Sequence, residues 1–302
     1  MRVAILGAGG QLACDLHRVL ADRDLTPLRH ADLDVREHNR VRQILGEVRP
    51  EVVINTAAFH RVDDCEDEVE KAFAVNTFAV RNLAQVCADL DCTLVQISTD
   101  YVFSGEKQTP YTEEDLPKPL NVYGVSKLAG EYFVRNLCPK HYVVLTSGLY
   151  GLAGSSGKGG NFVETMIRLA NEDRPIRVVD DQVLTPTYTA DVAEALKRLV
   201  QTGAYGLYHI TNRGECSWYQ FANKIFELSG LDPDFGRTTT EAFAARARRP
   251  SYSVLAGHGL GLIGLEPLRH WSEALASYIG VALSASKTYL RSGPVGLMKA
   301  ND

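Results

Sequence analysis

The sequence predicts an α/β protein in which a doubly wound parallel sheet is followed by a smaller C-terminal α/β domain. Three observations carry this. Short apolar runs alternate with longer segments of helical period, those runs lack polar alternation, and a glycine-rich turn joins the first run to the first helical segment. Strands with no polar face are buried on both sides, as a parallel sheet covered by helices requires.

A first strand is predicted over 3–6 and its helix over 11–21. Further pairs follow at 25–28 with 39–48 and at 52–55 with 66–89, then a fourth strand at 94–98. A polar loop carrying Pro110, Pro117 and Pro119 is long enough to be functional, and a helix over 123–137 and a strand over 142–146 come after it. Positions 151–160 hold five glycines and two serines and read as a hinge or a ligand loop. The domain change is placed there, with a first domain over 1–150 and a second over 151–281. The second holds predicted helices at 162–170, 191–200 and 218–228 and strands at 176–179 and 207–210, some of which return to the first sheet. A last amphipathic helix over 271–279 precedes 282–302, which reads as a frayed tail.

The 302 residues are 45% hydrophobic and 23% charged with a net charge of −5, which excludes disordered and collagen-like chains. Acidic residues outnumber Lys and Arg, so nucleic acid is a poor partner. No apolar run approaches the roughly eighteen residues of a membrane span, and the opening apolar run is cut by Gly7 too early for a signal peptide. Cys14, Cys65, Cys87, Cys92, Cys138 and Cys216 are scattered without a CxxC pair, which argues against disulfides and a thiolate metal site and suits a reducing cytoplasm.

Gly7-Ala8-Gly9-Gly10-Gln11-Leu12-Ala13 opens the first helix directly after the first strand. Backbone N–H groups and the helix dipole can hold a pyrophosphate there, and Ala13 takes the position of a third glycine. A dinucleotide is therefore expected. Where an acidic residue would grip the ribose of NAD, the second strand ends Leu28-Arg29-His30. Arg29 would meet a 2′-phosphate, which leans toward NADP and leaves NAD open because Asp32 and Asp34 lie close by.

Tyr123 and Lys127 stand at i and i+4 on one helix face, where the ammonium would stabilise the phenolate and lower the tyrosine's pKa. Ser98-Thr99 ends the fourth strand at the carboxyl edge of the sheet, where ligands of such folds bind and a hydroxyl would meet a substrate carbonyl. Thr99, Tyr123 and Lys127 following a dinucleotide turn point to carbonyl reduction by hydride transfer.

These residues in this order resemble the extended short-chain dehydrogenase/reductase superfamily and, more closely, the dTDP-4-dehydrorhamnose reductase family. The segments that carry the likeness include Gly10-Gln11-Leu12, Asn55-Thr56-Ala57-Ala58-Phe59, Val62-Asp63, Ser98-Thr99-Asp100-Tyr101-Val102-Phe103, Asn121-Val122-Tyr123-Gly124, Asn161-Phe162 and Arg249-Pro250. The resemblance implies a Rossmann-like fold with a substrate domain. It places Gly7, Gly10, Gln11, Leu12, Asp34, Val35, Ala57 and Ala58 at the cofactor, with Val62, Asp100 and Tyr101 at the sugar nucleotide. It makes Thr99, Tyr123 and Lys127 catalytic. It further implies reduction of the C4 ketone of a dTDP-linked 4-dehydro-6-deoxy-L-mannose to dTDP-L-rhamnose for polysaccharide, and a homodimer.

Departures from the family pattern fall near the substrate. Leu145-Thr146-Ser147-Gly148 stands where the family has Arg-Thr-Ser-Trp, and Leu184 replaces a usual glycine, so the loss of an aromatic wall would enlarge the sugar pocket. A reductase or epimerase of another nucleotide sugar is therefore an alternative. A second is a cofactor-sensing regulatory subunit, since the methionine adenosyltransferase beta subunit resembles the same family. Asp15 matches one position of a magnesium contact found in some relatives, without the others; no catalytic metal is expected.

Weaker signals remain. The run Asp63, Asp64, Glu66, Asp67, Glu68 and Glu70 reads as a solvated helix start. The guanidinium groups of Arg246, Arg248 and Arg249 suit a diphosphate or an exposed loop equally. His60 sits at the cleft edge, where an exposed imidazole is the default.

Overall fold

The computed structural model describes residues 1–153, 160–172 and 174–292. Six strands form one parallel sheet: β1 (Arg2–Leu6), β2 (Asp24–Leu28), β3 (Val52–Asn55), β4 (Thr93–Thr99), β5 (His141–Thr146) and, last in the chain, β10 (Gly206–His209). Their order is β10-β5-β4-β3-β1-β2. The chain winds one way from β1 to β2 and the other way from β3 onward, so the connections diverge at the carboxyl ends of β1 and β3, where such sheets bind ligands. Pro27 lies in β2, an edge strand, where its missing N–H removes no internal ladder bond.

Alternate strand residues face opposite layers, and both layers are apolar. Ala4 and Leu6 pack with Val53, Leu94 and Val143 under α2 (His38–Val48) and α5 (Ala79–Asp89). Val3 and Ile5 pack with Ile54, Val95 and Val144 under α1 (Gln11–Val19) and α8 (Thr189–Leu199). Helix α6 (Val122–Leu137) crosses between β4 and β5 on the α5 side.

The segment expected as one helix over 66–89 is broken into α3 (Val62–Asp67), α4 (Val69–Phe73), a wide π turn over Ala74–Phe78, and α5. The reason is polar. In the π turn the Asn76 amide accepts from the Phe59 N–H and donates to the Phe59 carbonyl, both at 2.9 Å, so the helix deforms to pin the loop after β3.

The second core gathers Tyr150, Val163, Ile176, Tyr188, Phe221, Trp271 and Tyr278. It is built by β6 (Leu149–Tyr150), α7 (Phe162–Ala170), β7 (Ile176–Val179), β8 (Val183–Leu184), β9 (Thr187–Tyr188), β11 (Cys216–Ser217), α9 (Trp218–Ser229) and β12 (Phe235–Thr238), with the short α10 (Thr240–Phe243) and α11 (His258–Leu262) beyond. The strand expected at 207–210 is β10, and it joins the large sheet beside β5. The last helix, α12 (Trp271–Ser292), continues past the expected end at 279 into the segment read as tail; 293–302 lie outside the described residues, as do 154–159 of the glycine-rich segment.

Candidate active site

The turn after β1 is held against its neighbours by backbone bonds. The Gly7 and Ala8 N–H groups donate to the Leu28 carbonyl at 3.0 and 3.1 Å, and the Gly10 N–H to the Gly7 carbonyl at 2.9 Å. Gly7 has φ +76°, and a β-carbon on it would stand 2.7 Å from the Ala57 nitrogen, so this turn against the β3 loop needs glycine. Helix α1 then starts at Gly10 with no side-chain cap and no acidic residue in its first turn. Its first N–H groups and dipole face the cleft, which is the donor set an anionic pyrophosphate needs. Gln11 donates to the Leu149 carbonyl at 3.1 Å and leaves its amide oxygen buried without a partner at the cleft wall. A dinucleotide fits this cradle.

At the carboxyl end of β2, Arg29 and His30 lie near the Asp34 loop. Asp34 does not offer an unengaged carboxylate: the Arg36 Nε is 3.0 Å from each of its oxygens, and that bond holds its carboxyl below the usual range. Arg36 was not apparent from the motif, and it adds a cation to the end where Arg29 is exposed.

A cleft of about 460 Å³ opens from this turn across the sheet edge, lined by Gln11, Ala58, Val62, Thr99, Tyr123 and Lys127 and reaching Leu184 and Trp218 in the second core. Gly10, Leu12, Asp100, Tyr101 and His60 also line it, whereas Gly7, Val35, Ala57, Asp34, Arg29 and Arg249 stand outside its wall. At its far end the Phe162 and Trp218 rings meet at 4.6 Å.

Strand β4 and helix α6 set the reactive groups. Thr99 ends β4 and caps the following turn by accepting from the Tyr101 N–H at 3.2 Å, and its hydroxyl donates to Asp100 at 3.1 Å. Asn121 caps α6 by accepting from Gly124, and a β-carbon on Gly124 would stand 2.2 Å from the Tyr101 carbonyl oxygen. Glycine there lets α6 press on the turn and brings the Tyr123 hydroxyl within the influence of Thr99, beside it on the cleft wall. The Tyr101 and Tyr123 rings meet edge to face at 6.0 Å.

The expectation that Lys127 lowers the pKa of Tyr123 is not met in this state. Burial pushes the Tyr123 hydroxyl up, against the Thr99 hydrogen bond. Lys127 instead donates to the Ile97 carbonyl at 2.6 Å, and burial pulls its ammonium down to about 8. Tyr123 is thus a fully protonated acid at neutral pH.

Asp100, placed at the sugar nucleotide by resemblance, does line the cleft, but its carboxylate accepts from Thr99, from Ser147 at 2.9 Å and from Ser253 at 2.6 Å. Burial raises it to about 6 against those three bonds. Its visible effect is to orient the Thr99 hydroxyl. Ser147 and Ser253 come from distant segments, and neither carries a local signal in the sequence.

The acidic run is a solvated helix start only in part: Asp63 and Asp64 open α3 and Glu70 opens α4, and Asp67, Glu68 and Glu70 are exposed, but several of its carboxylates are engaged elsewhere in the fold. Asp63 is bound by Arg249 at 2.7 Å and by the Ala247 N–H at 2.9 Å, Arg246 pairs with Asp64 and Asp67, and Glu66 accepts from the Val122 N–H at the start of α6. The physical reason is complementarity: a basic segment from late in the chain meets the acidic one across the site's edge. Arg249 also stands near enough to the Tyr101 hydroxyl for its charge to act on it, so it supports the cleft from behind. Asp15 accepts from Thr189 at 2.6 Å and pairs with Arg18 at 3.2 Å.

A family model described as RmlD substrate binding domain matches residues 1–283. A dTDP-4-dehydrorhamnose reductase of Mycolicibacterium smegmatis is 40% identical over 94% of this chain and 87% of its own length. The crystal structure of a dTDP-4-dehydrorhamnose reductase from Clostridium acetobutylicum is 41% identical with a TM-score of 0.90, covering 94% of this chain and all of that one. That of Bacillus anthracis in complex with NADP is 40% identical with a TM-score of 0.89, covering 93% of this chain and 99% of its own.

Proposed function

The chain belongs to the family of the RmlD substrate binding domain, the dTDP-4-dehydrorhamnose reductases, and from that premise we propose that it reduces the C4 ketone of a dTDP-linked 4-dehydro-6-deoxy-L-mannose with NADPH or NADH. The observation that carries this is the convergence of Thr99 at the carboxyl end of β4, Tyr123, and buried Lys127 one turn along α6 on one cleft, with an uncapped helix start across it. The bound relative from Bacillus anthracis supports NADP, as do the cations Arg29 and Arg36 beside the expected adenosine end.

Gly7 and Gly10, with Gln11 and Leu12, would hold the cofactor's pyrophosphate on the α1 start, and Asp34, Val35, Ala57 and Ala58 would complete the cofactor's contacts. The reduced nicotinamide, when bound, supplies a hydride to the carbonyl carbon. With substrate bound, the Thr99 hydroxyl turns its one hydrogen from Asp100 to the carbonyl oxygen and holds that oxygen against Tyr123. As negative charge grows on that oxygen it becomes a far stronger base than the phenolate, so a tyrosine with a raised pKa still delivers its proton. Lys127 supplies the positive charge that offsets the phenolate left behind. Val62, Asp100 and Tyr101 would border the sugar, and Phe162 and Trp218, from the second core, would meet the nucleotide end.

We place the enzyme in the cytoplasm on its scattered thiols; among the described residues no helix is long and apolar enough to cross a membrane. A homodimer is carried by the family resemblance, and sedimentation tests it. The sugar is the less constrained half of the proposal, because Gly148 and Leu184 stand at the cleft wall.

The experiment is turnover of dTDP-4-dehydro-6-deoxy-L-mannose with NADPH and NADH, followed by loss of reduced-nicotinamide absorbance. Tyr123→Phe should lower kcat by about 10²- to 10⁴-fold with cofactor binding intact. Cofactor binding without turnover across a panel of 4-keto sugar nucleotides would favour the regulatory reading.

A further inference from the structure

One buried carboxylate beside the reactive groups has no part in the reduction described above. Glu131 lies one turn beyond Lys127 on α6 and is 3% exposed, with Lys127 itself 5% exposed. Its carboxylate accepts from the Ser98 hydroxyl, while Lys127 holds the carbonyl of Ile97 at 2.6 Å. Two side chains one turn apart on one helix thus grip two successive residues of β4, and the next residue is Thr99.

A buried ammonium and a buried carboxylate are each costly alone, and each lowers the cost of the other. Burial drives Lys127 toward its neutral form, and Glu131 is the charge that opposes this. In return, burial raises Glu131 to about 7, and Lys127 and then Arg135, one turn further along α6, oppose it. The groups that α3 and the turn after β4 present at this end of α6 are Cys65, Asp100 and Tyr101, and they act on Tyr123.

We propose that Glu131 is a positioning residue for the reduction: buried one helical turn from Lys127, it stands as that ammonium's counter-charge, and through Ser98 it fixes the end of β4 that carries Thr99. This rests on the reductase reading for its kinetic consequence, while the effect of Glu131 on the Lys127 titration does not.

Glu131→Gln keeps the volume and an oxygen that accepts from Ser98, and removes only the charge. The alkaline limb of the kcat profile should move to lower pH by about one unit, with kcat reduced roughly tenfold above the new midpoint and KM for NADPH within about twofold. Glu131→Asp keeps the charge on a shorter arm, so its limb should stay near that of the unsubstituted protein while kcat falls. Ser98→Ala removes the hydrogen bond and should leave the limb in place. The titration of Lys127, read from its side-chain ¹³C shift in the full-length protein, should move down in Glu131→Gln with or without substrate. A Lys127 midpoint unmoved by Glu131→Gln, or moved equally by Glu131→Asp, overturns the role of Glu131. If Glu131→Gln does not fold, the Glu131→Asp and Ser98→Ala limbs decide, and a limb displaced in Glu131→Asp counts against the proposal. Absence of turnover in the unsubstituted protein would overturn the reductase reading alone, since the Lys127 titration stands apart from it.

Discussion

Leu184 Cδ1 lies 2.8 Å from the place a β-carbon on Gly148 would occupy. Both positions depart from the family pattern and both line the cleft, and the leucine fills space directly beside the glycine, so that stretch of wall is aliphatic. Gly148 has φ +52°, so any side chain there meets backbone strain as well as Leu184. Gly148→Ala should destabilise by about 1–3 kcal/mol in denaturant melts, and Leu184→Ala in the same chain should recover part of it. Strict additivity of the two changes would show that the residues do not share the space. Leu184→Ala alone should widen acceptance of sugar nucleotides in competition assays.

The Asp63–Arg249 pair gives a pH signature. Arg249 bonding holds the Asp63 carboxyl below its usual range, so the stability it contributes is present above the ordinary aspartate pKa and lost as pH falls through the depressed folded value. The acid limb of a stability profile, below about pH 4, should flatten in Arg249→Met. Because Arg249 also supports Tyr101, the same variant should raise KM for the nucleotide sugar more than it lowers kcat. An unchanged acid limb would remove the pair from the ledger of stabilising contacts.

Cofactor choice should follow the cations after β2. A charge-assisted hydrogen bond contributes about 1.5–3 kcal/mol, so Arg29→Ala should lower kcat/KM for NADPH roughly 10- to 100-fold and leave NADH nearly untouched. Equal losses with both cofactors would mean that Arg29 supports the β2 end structurally and reads no phosphate. Arg36→Ala should behave differently. It releases Asp34 to accept from a ribose hydroxyl, so NADH should gain while NADPH falls.

Local signals in the sequence sufficed for the sheet, for the turn at Gly7 and for the Thr99, Tyr123 and Lys127 set, because each is written in a strand, a turn or one helix turn. What escaped was long-range pairing. Asp63 meets Arg249, and Asp100 meets Ser253, across more than a hundred residues of chain, and no periodicity records such a partner. The π turn at Asn76 was hidden for a related reason: apolar spacing continues through it, while the bond that bends it comes from Phe59. The pKa of Tyr123 was misjudged because i and i+4 placement ignores burial and the rival acceptor at Ile97.

Asp100 should leave a mark of the opposite sign to Asp63. Its folded pKa, raised to about 6 by burial, exceeds the unfolded value near 3.8, so between those limits the native state binds more protons and stability falls as pH rises. The full difference is about 3 kcal/mol as an upper figure. Glu131 is raised over an overlapping range, so the informative quantity is the slope of the unsubstituted protein minus that of Asp100→Asn. The asparagine stays neutral and should remove the part of the decline between pH 4 and 6. Its amide keeps one acceptor oxygen and puts an NH2 donor in place of the other, so either Thr99 or the Ser147 and Ser253 pair must turn to accept, and the hydrogen-bonding around Thr99 is rearranged. Thr99 would then be misaimed at the carbonyl oxygen, and kcat should fall about tenfold or more with KM for the cofactor unchanged. A variant with a flattened slope and full kcat would confine Asp100 to stability; one with an unaltered slope would show that its carboxyl titrates in the fold as it does in the unfolded chain.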